Sequence, residues 1–480
     1  MIYPIKTSST LAILLATLGL LAPVRTALAG DGWAAAGFLF DSFDLVLEPG
    51  HRTEAAGPFY YSETRADDAT LALPPLISFY ENKTVQHGEI NLLYPLLTYE
   101  NYGSEWRWQF FELLSFAGGQ EQNDLQTHRF TIFPVYFQQR SLDTNLNYTC
   151  VMPIYGHLQR RLFRDEMFVV LFPLFSETRK KDVVTDNYLW PVGHVRHGNH
   201  LDGWQVWPIA GSEHKDLTTL TNGFGDVTTI GGHDRSFVLW PFWLSQDNNL
   251  GTENPEKFRA SVPLFATTRS PNRDVTSVLW PLFTWIDERE KKYHEWEGPW
   301  PFVIFTRGEG KTTDRVWPLF SQSHNATQSS DAYLWPIYTR KQIHDETLER
   351  SATRVLFYLY VGVSEKNKET GAEKLRRDSW PLFTWRKDFN GNTRLQFFAP
   401  FESILSSSRG IERNWSPLWT VWHSEKNPRA GGASQSLLWN LYRHEVSPGH
   451  QKTSLLFGLF QRQTDGEKTS TKLFYLPVSR

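Results

Sequence analysis

Four stretches of this 480-residue chain place residue types at spacings that could do chemistry. Gly308-Glu309-Gly310-Lys311-Thr312 has the glycines and lysine with which a loop cradles phosphate, but the full pattern needs a glycine where Phe305 stands and a helix to follow. Its glycines read as a hairpin turn. His194, His197 and His200 offer imidazoles of the kind that bind zinc or copper. Their three-residue spacing scatters them over strand faces, with no thiolate or carboxylate placed beside them, so a polar loop is expected there. Asp287, Glu288 and Glu290 could supply paired carboxylates for acid–base catalysis. Similar charges follow many apolar segments, as in Arg386-Lys387-Asp388, and read as solvated hairpin arms. The chain has no Gly-x-Ser-x-Gly elbow, and its one cysteine, Cys150 between Thr149 and Val151, reads as a small core residue. Neither a catalytic site nor a metal nor a cofactor is indicated, and the expectation is a protein that is not an enzyme.

The remaining candidates are aromatic, and they come in a repeat. Leu279-Trp280-Pro281-Leu282-Phe283-Thr284-Trp285 returns almost unchanged as Ser379-Trp380-Pro381-Leu382-Phe383-Thr384-Trp385. Looser copies run from Pro75 to Pro477 with a period of about 19 residues, the signature of a repeat architecture. The copies include centres at Pro400 and Pro417. The long interval between Pro208 and Pro241 suggests a degenerate copy near Gly223–Val227. Trp190, Trp207, Trp240, Trp280, Phe283, Trp285, Trp317, Trp335, Trp380, Phe383, Trp385, Trp419 and Trp439 are the residues expected either to pack a shared core or to touch lipid or another apolar ligand.

The elements that must position these residues are strands. The chain holds 20 Trp, 18 Tyr and 33 Phe, types that favour strands, while 27 Pro and 32 Gly argue against a helical solenoid of similar period. Turn signals such as Asn390-Gly391, Gly431-Gly432, Pro448-Gly449 and Asp465-Gly466 alternate with the apolar segments, and Arg409-Gly410 and Gly118-Gly119 read the same way. Proline has no N–H for a ladder, so its place at the middle of each apolar segment marks a junction between hairpins. The expected fold is all-β: tandem antiparallel hairpins of about 19 residues, with arms of about six, closing into a ring-like or barrel assembly of about 21–23 units.

Met1 to Ala29, with Lys6, the apolar run Leu11–Leu21 and Ala27-Leu28-Ala29, reads as a bacterial secretory signal peptide. Residues 30–57 then read as a cap or opening strand and 58–480 as the repeat domain. A formal charge of −3 gives no electrostatic footprint for nucleic acid and no polybasic membrane anchor. A single cysteine excludes an intrachain disulfide.

A signal peptide followed by hairpins with Trp-Pro-Leu-Phe-like bases resembles the bacterial β-flower proteins, and more distantly the tubby-like barrels. The resemblance implies hairpin petals around a central barrel and a lipid-related or apolar-ligand role. The expectation is therefore an exported cell-envelope protein, in the periplasm or the outer membrane, that scaffolds or binds lipids or other apolar ligands, with lipids or the outer-membrane surface as its partner and no nucleic acid. The alternative is an outer-membrane β-barrel acting as a pore or transporter.

Overall fold

The computed structural model describes residues 34–35, 37–121, 124–221, 226–406 and 408–478. The expected signal peptide over 1–29 lies outside them. Among the described residues, forty-four strands form one sheet, and each is hydrogen-bonded to its neighbours in chain order within that sheet, always antiparallel. Typical strands are six residues long, such as Ile77–Asn82, His87–Leu92 and Leu97–Tyr102. At strand rise that makes a ribbon about 20 Å wide. Phe40–Asp44 and Gly50–Ala55 already belong to it, so the sheet begins ahead of the first obvious repeat.

The ribbon's two edges differ because the turns that make them differ. One edge carries the Trp-Pro segments, where the Xaa–Pro bond is cis at Trp280–Pro281 and at Trp190–Pro191, Trp240–Pro241, Trp335–Pro336 and others. The opposite edge carries polar turns such as Lys83-Thr84-Val85-Gln86 and Arg289-Glu290-Lys291-Lys292. Proline thus sits where the chain reverses, and the ladder loses no donor to it. The apolar heptad also finds its explanation here. Leu279–Leu282 form the turn and Phe283–Trp285 start the next strand, so the heptad's apolar residues lie on and beside one edge.

The faces differ as well. Following the register from strand to strand lines up small or polar residues on one face: Ala72, Ser78, Asn91 and Thr98 early in the chain, and Ala260, Ala266, Ser277 and Thr284 in its middle. These small or polar side chains are buried. Their hydroxyls and amides bond along the row, as in Ser277 Oγ to Thr284 Oγ1 at 2.9 Å and Thr98 Oγ1 donating to Asn91 Oδ1 at 3.0 Å. On the other face, the neighbouring positions hold Val278, Phe283 and Trp285. In these stretches, small groups on one face and bulky ones on the other favour bending towards the small side.

That bend brings the ends together, inner face to inner face. Strands Phe40–Asp44 and Gly50–Ala55 lie against the strands and turns of residues 422–457. Arg443 covers the Phe43 ring at 3.1 Å, Asn440 Nδ2 donates to Glu54 Oε2 at 2.7 Å, Asn427 Nδ2 donates to the Val46 carbonyl at 3.2 Å, and the rings of Phe38 and Phe457 meet at 5.6 Å. Among the described residues, the first and last strands share no backbone ladder.

Three sequence readings are corrected. The segments at Pro400 and Pro417 are not hairpin turns. Residues 398–421 leave the ribbon as an insertion containing α1 (Arg409–Asn414) and α2 (Ser416–Trp419), and Arg409-Gly410 opens α1. Ser408 caps α1. Buried Glu402 anchors the insertion, accepting from Gln396 Nε2 at 2.8 Å, from Trp419 Nε1 at 2.9 Å and from the Ser416 hydroxyl. The long interval after Pro208 hides no extra turn on the proline edge. Trp240 N donates directly to the Pro208 carbonyl at 2.7 Å, and the surplus residues build a separate hairpin, Thr218–Thr221 with Val227–Ile230, off the opposite edge. Residues 222–225 lie outside the described set. Finally, Gly118-Gly119 lies inside strand Leu114–Glu121 and not at a turn; a Cβ on Gly118 would strike the Trp106 ring at 2.7 Å.

Candidate functional site

The polar candidates singled out by sequence are spread over strands and turns of the ribbon. His194 and His197 occupy strand Gly193–Gly198 on opposite faces, and His200 sits in the following turn. Gly308-Glu309-Gly310 is the turn between strands Val303–Gly308 and Lys311–Val316. Lys311 pairs with Glu295 at 2.6 Å, across the sheet and away from that turn. Cys150 is buried with Phe137, Tyr148 and Leu158, and burial pushes its thiol up.

Sequence reasoning missed one polar cluster, His87, Glu89 and Glu100, whose ligand-capable atoms lie within 4.8 Å of one another. Its members stand 2 and 11 residues apart and meet only because adjacent strands pair Glu89 with Glu100. Arg413 from the insertion closes on Glu89 at 3.1 Å. Burial, with Arg413 and Arg409 adding to it, holds the His87 imidazole below its ordinary range despite the two glutamates. Arg413 against Glu89, and Arg107 at 3.6 Å from Glu100, give these carboxylates cationic partners, so the cluster is arranged as an ion-pair network.

What the fold does assemble is an apolar collar along the proline edge. Many of the turns contribute a leucine ahead of the aromatic and another apolar residue after the proline, as in Leu279-Trp280-Pro281-Leu282 and Leu239-Trp240-Pro241-Phe242. Leu279, Trp280 and Leu282 are 46, 36 and 42 % exposed, and Leu239, Trp240 and Phe242 are 58, 47 and 60 % exposed. Outside the helical insertion, the turns of this edge and the strand residues that flank them contain two charged groups, Glu112 and Glu297. Glu297 faces the inner row, where burial and then Glu295 push its carboxyl above the usual range. The collar's outer side therefore carries Glu112 alone.

Neighbouring turns are knit together by backbone hydrogen bonds. Leu279 N donates to the Leu264 carbonyl at 2.8 Å, Leu189 N to Leu174 at 2.7 Å, and Leu334 N to Leu319 at 2.6 Å. A second bond often follows, as from Trp190 N to Pro173 and from Trp335 N to Pro318, both at 2.7 Å. Main-chain donors in an apolar medium are costly when unpaired, and these are paired. The rings meet along the same line, tilted or edge-on: Phe302 to Trp317 at 5.6 Å, Trp317 to Trp335 at 5.5 Å, Trp335 to Phe357 at 5.5 Å.

Of the residues singled out by sequence, Trp190, Trp207, Trp240, Trp280, Trp317, Trp335 and Trp439 are exposed in turns of the collar, and Trp285 is exposed on the outer face. Phe283, Trp380, Phe383 and Trp385 are half-buried beside it, and Trp419 is half-buried in α2. None lies in a closed core. In sequence, the chain matches no family model and no protein among the curated ones compared with it.

Proposed function

We propose that this protein is a non-enzymatic, exported cell-envelope scaffold that seats its proline edge in one leaflet of a membrane. On this reading the ribbon curls into a ring whose ends meet at the contacts between Phe43 and Arg443, and the collar forms its rim. A turn plus one strand residue on each side reaches about 5–10 Å, the depth at which interfacial elements lie. The opposite edge, with turns such as Arg289-Glu290-Lys291-Lys292, stays in water. The observation that carries the proposal is the near-absence of charge from the collar, together with the backbone bonds that satisfy its turns. With no lysine or arginine in those turns, attraction comes from apolar burial, and neutral acyl chains suffice.

Flotation of the mature chain with neutral phosphatidylcholine vesicles tests this. Binding is expected to persist from low salt to about 0.5 M, because screening acts on charges and leaves apolar burial intact. Placing glutamate at Leu282, Leu319 and Ile337 together is expected to abolish flotation while leaving thermal unfolding within a few degrees of wild type. Equal flotation of that variant, or flotation only with anionic lipid at low salt, would sink the reading.

A further inference from the structure

The ribbon's ends meet through side chains, and the group at the middle of that junction is a carboxylate in the wrong surroundings. Asp41 is 4 % exposed, and among the described residues its Oδ1 has no hydrogen-bond partner. Arg443 is the cation opposite, but its donors are already engaged. Its Nε donates to Glu445 at 2.6 Å and its Nη1 to Asn440 Oδ1 at 3.1 Å, while its plane lies on Phe43. From the neighbouring strand, Glu54 faces the same space and receives Arg52 Nε at 2.7 Å; Arg52 is further bound by Glu63 at 3.0 Å. On Asp41's own strand, Asp44 is turned to His51 at 3.0 Å.

We propose that this junction is a pH-sensitive latch, in which ionisation of Asp41 loosens the inner-face contact between strands Phe40–Asp44 and Tyr442–Ser447 and parts the ribbon's ends. Buried beside Glu54 and Glu445, with the Ser42 N–H as its one backbone donor and Oδ1 left unpartnered among the described residues, the Asp41 carboxyl is tolerated when neutral and penalised when charged. Burial lifts it from 3.8 to about 7, against the pull of Arg443 and with Glu54 and Glu445 adding to the rise. An open end returns it to water and to an ordinary carboxylate value. The closed junction therefore holds one more proton than the open one between about pH 4 and pH 7. Its stability is full below that window, falls as pH rises through it, and is level above. Glu425, nearby, does not blur the effect. Burial would raise it, but His423 and Arg394 outweigh that and hold it at about 2, so it stays charged throughout.

Hydrogen exchange of the full chain, read by mass spectrometry from pH 5 to pH 8 and corrected for base catalysis, reports the latch. In peptides covering 37–65 and 422–447, the opening equilibrium is expected to rise by up to about 100-fold between pH 5 and pH 7 and then to level. The strands Arg273–Val278 and Phe283–Glu288 should show no such slope. Asp41→Asn should remove the slope from the end peptides. Glu54→Gln, which takes an anion from beside Asp41, should move the plateau to lower pH. An unchanged slope in Asp41→Asn, or an unmoved plateau in Glu54→Gln, overturns the proposal.

Discussion

Two tryptophans that look alike in sequence do different work, and single substitutions separate them. Trp280 lies in a collar turn with over a third of its surface in water. Trp380 is half-buried, its ring edge-on to Tyr358 at 5.5 Å, and its Nε1 donates to the Pro400 carbonyl at 2.9 Å, tying the ribbon to the insertion. Trp380→Ala is expected to cost about 3 kcal/mol in urea unfolding, the low end of the range for a deleted aromatic. Trp280→Ala is expected to cost about 1 kcal/mol, as its ring gives up less buried surface. Equal losses would mean that the collar is packed as a core. Glu402 shows what the residue types hide. Its carboxylate is buried among neutral donors, and Glu402→Ala would strand the Gln396 amide, the Ser416 hydroxyl and the Trp419 indole. A loss of about 3 kcal/mol or more is expected, since each stranded donor costs about 1–3 kcal/mol. From the sequence, Glu402 is one acid among many, because nothing local announces partners 6 to 17 residues away.

At the scale of elements, the repeat was legible because one physical rule writes it. Proline and positive-φ positions must fall in turns, apolar collar residues must fall beside them, and the six-residue arms follow from the spacing. Leu279, with φ of 49°, and Leu334, with φ of 46°, were not legible as turn residues, since leucine seldom takes that region. Pro400 and Pro417 were misread for the converse reason. Phe-Ala-Pro-Phe and Ser-Pro-Leu-Trp carry the collar's composition, but the Ser408 cap and proline near the start of α2 favour helix, and the buried Glu402 gives that helix something to fold against. The inner row was invisible because its residues are unremarkable singly, and only the strand register lines them up. It makes a sharp prediction. Ser277, 2 % exposed, has no room for a larger side chain, so Ser277→Leu is expected to cost at least 1–3 kcal/mol by overpacking, with its bond to Thr284 lost as well. Thr353→Leu, on the outer face, should stay within about 0.5 kcal/mol. Equal effects in thermal unfolding would remove the distinction between the faces on which the bend depends.

For the whole molecule, the proposed membrane seat raises the question whether a ribbon with so many strands crosses a bilayer or rests in it, and its width is an argument for resting. Six residues span about 20 Å, whereas a strand that crosses the hydrocarbon needs about 9–11 residues at a tilt. Charges also stand close behind the collar on its outer side. Asp314, Asp331, Arg340 and Arg377 each lie two residues from the strand end, about 7 Å in, and a spanning wall would force them into the acyl region. A seated ring leaves them at the headgroups and holds the polar edge clear of the membrane. Trypsin distinguishes the two on vesicle-bound protein, through the turn Arg289-Glu290-Lys291-Lys292. If the ring is seated on the outer surface, that turn is cut as fast as in free protein, while bromine on the upper acyl carbons quenches the collar tryptophans. If the wall spans, quenching extends to bromine placed near the chain ends, because tryptophans on the outer face would then line the full depth of the bilayer. Deep quenching would replace the seated ring with a barrel, and the charges at Asp331 and Arg340 would then have to pair across their strands to enter it.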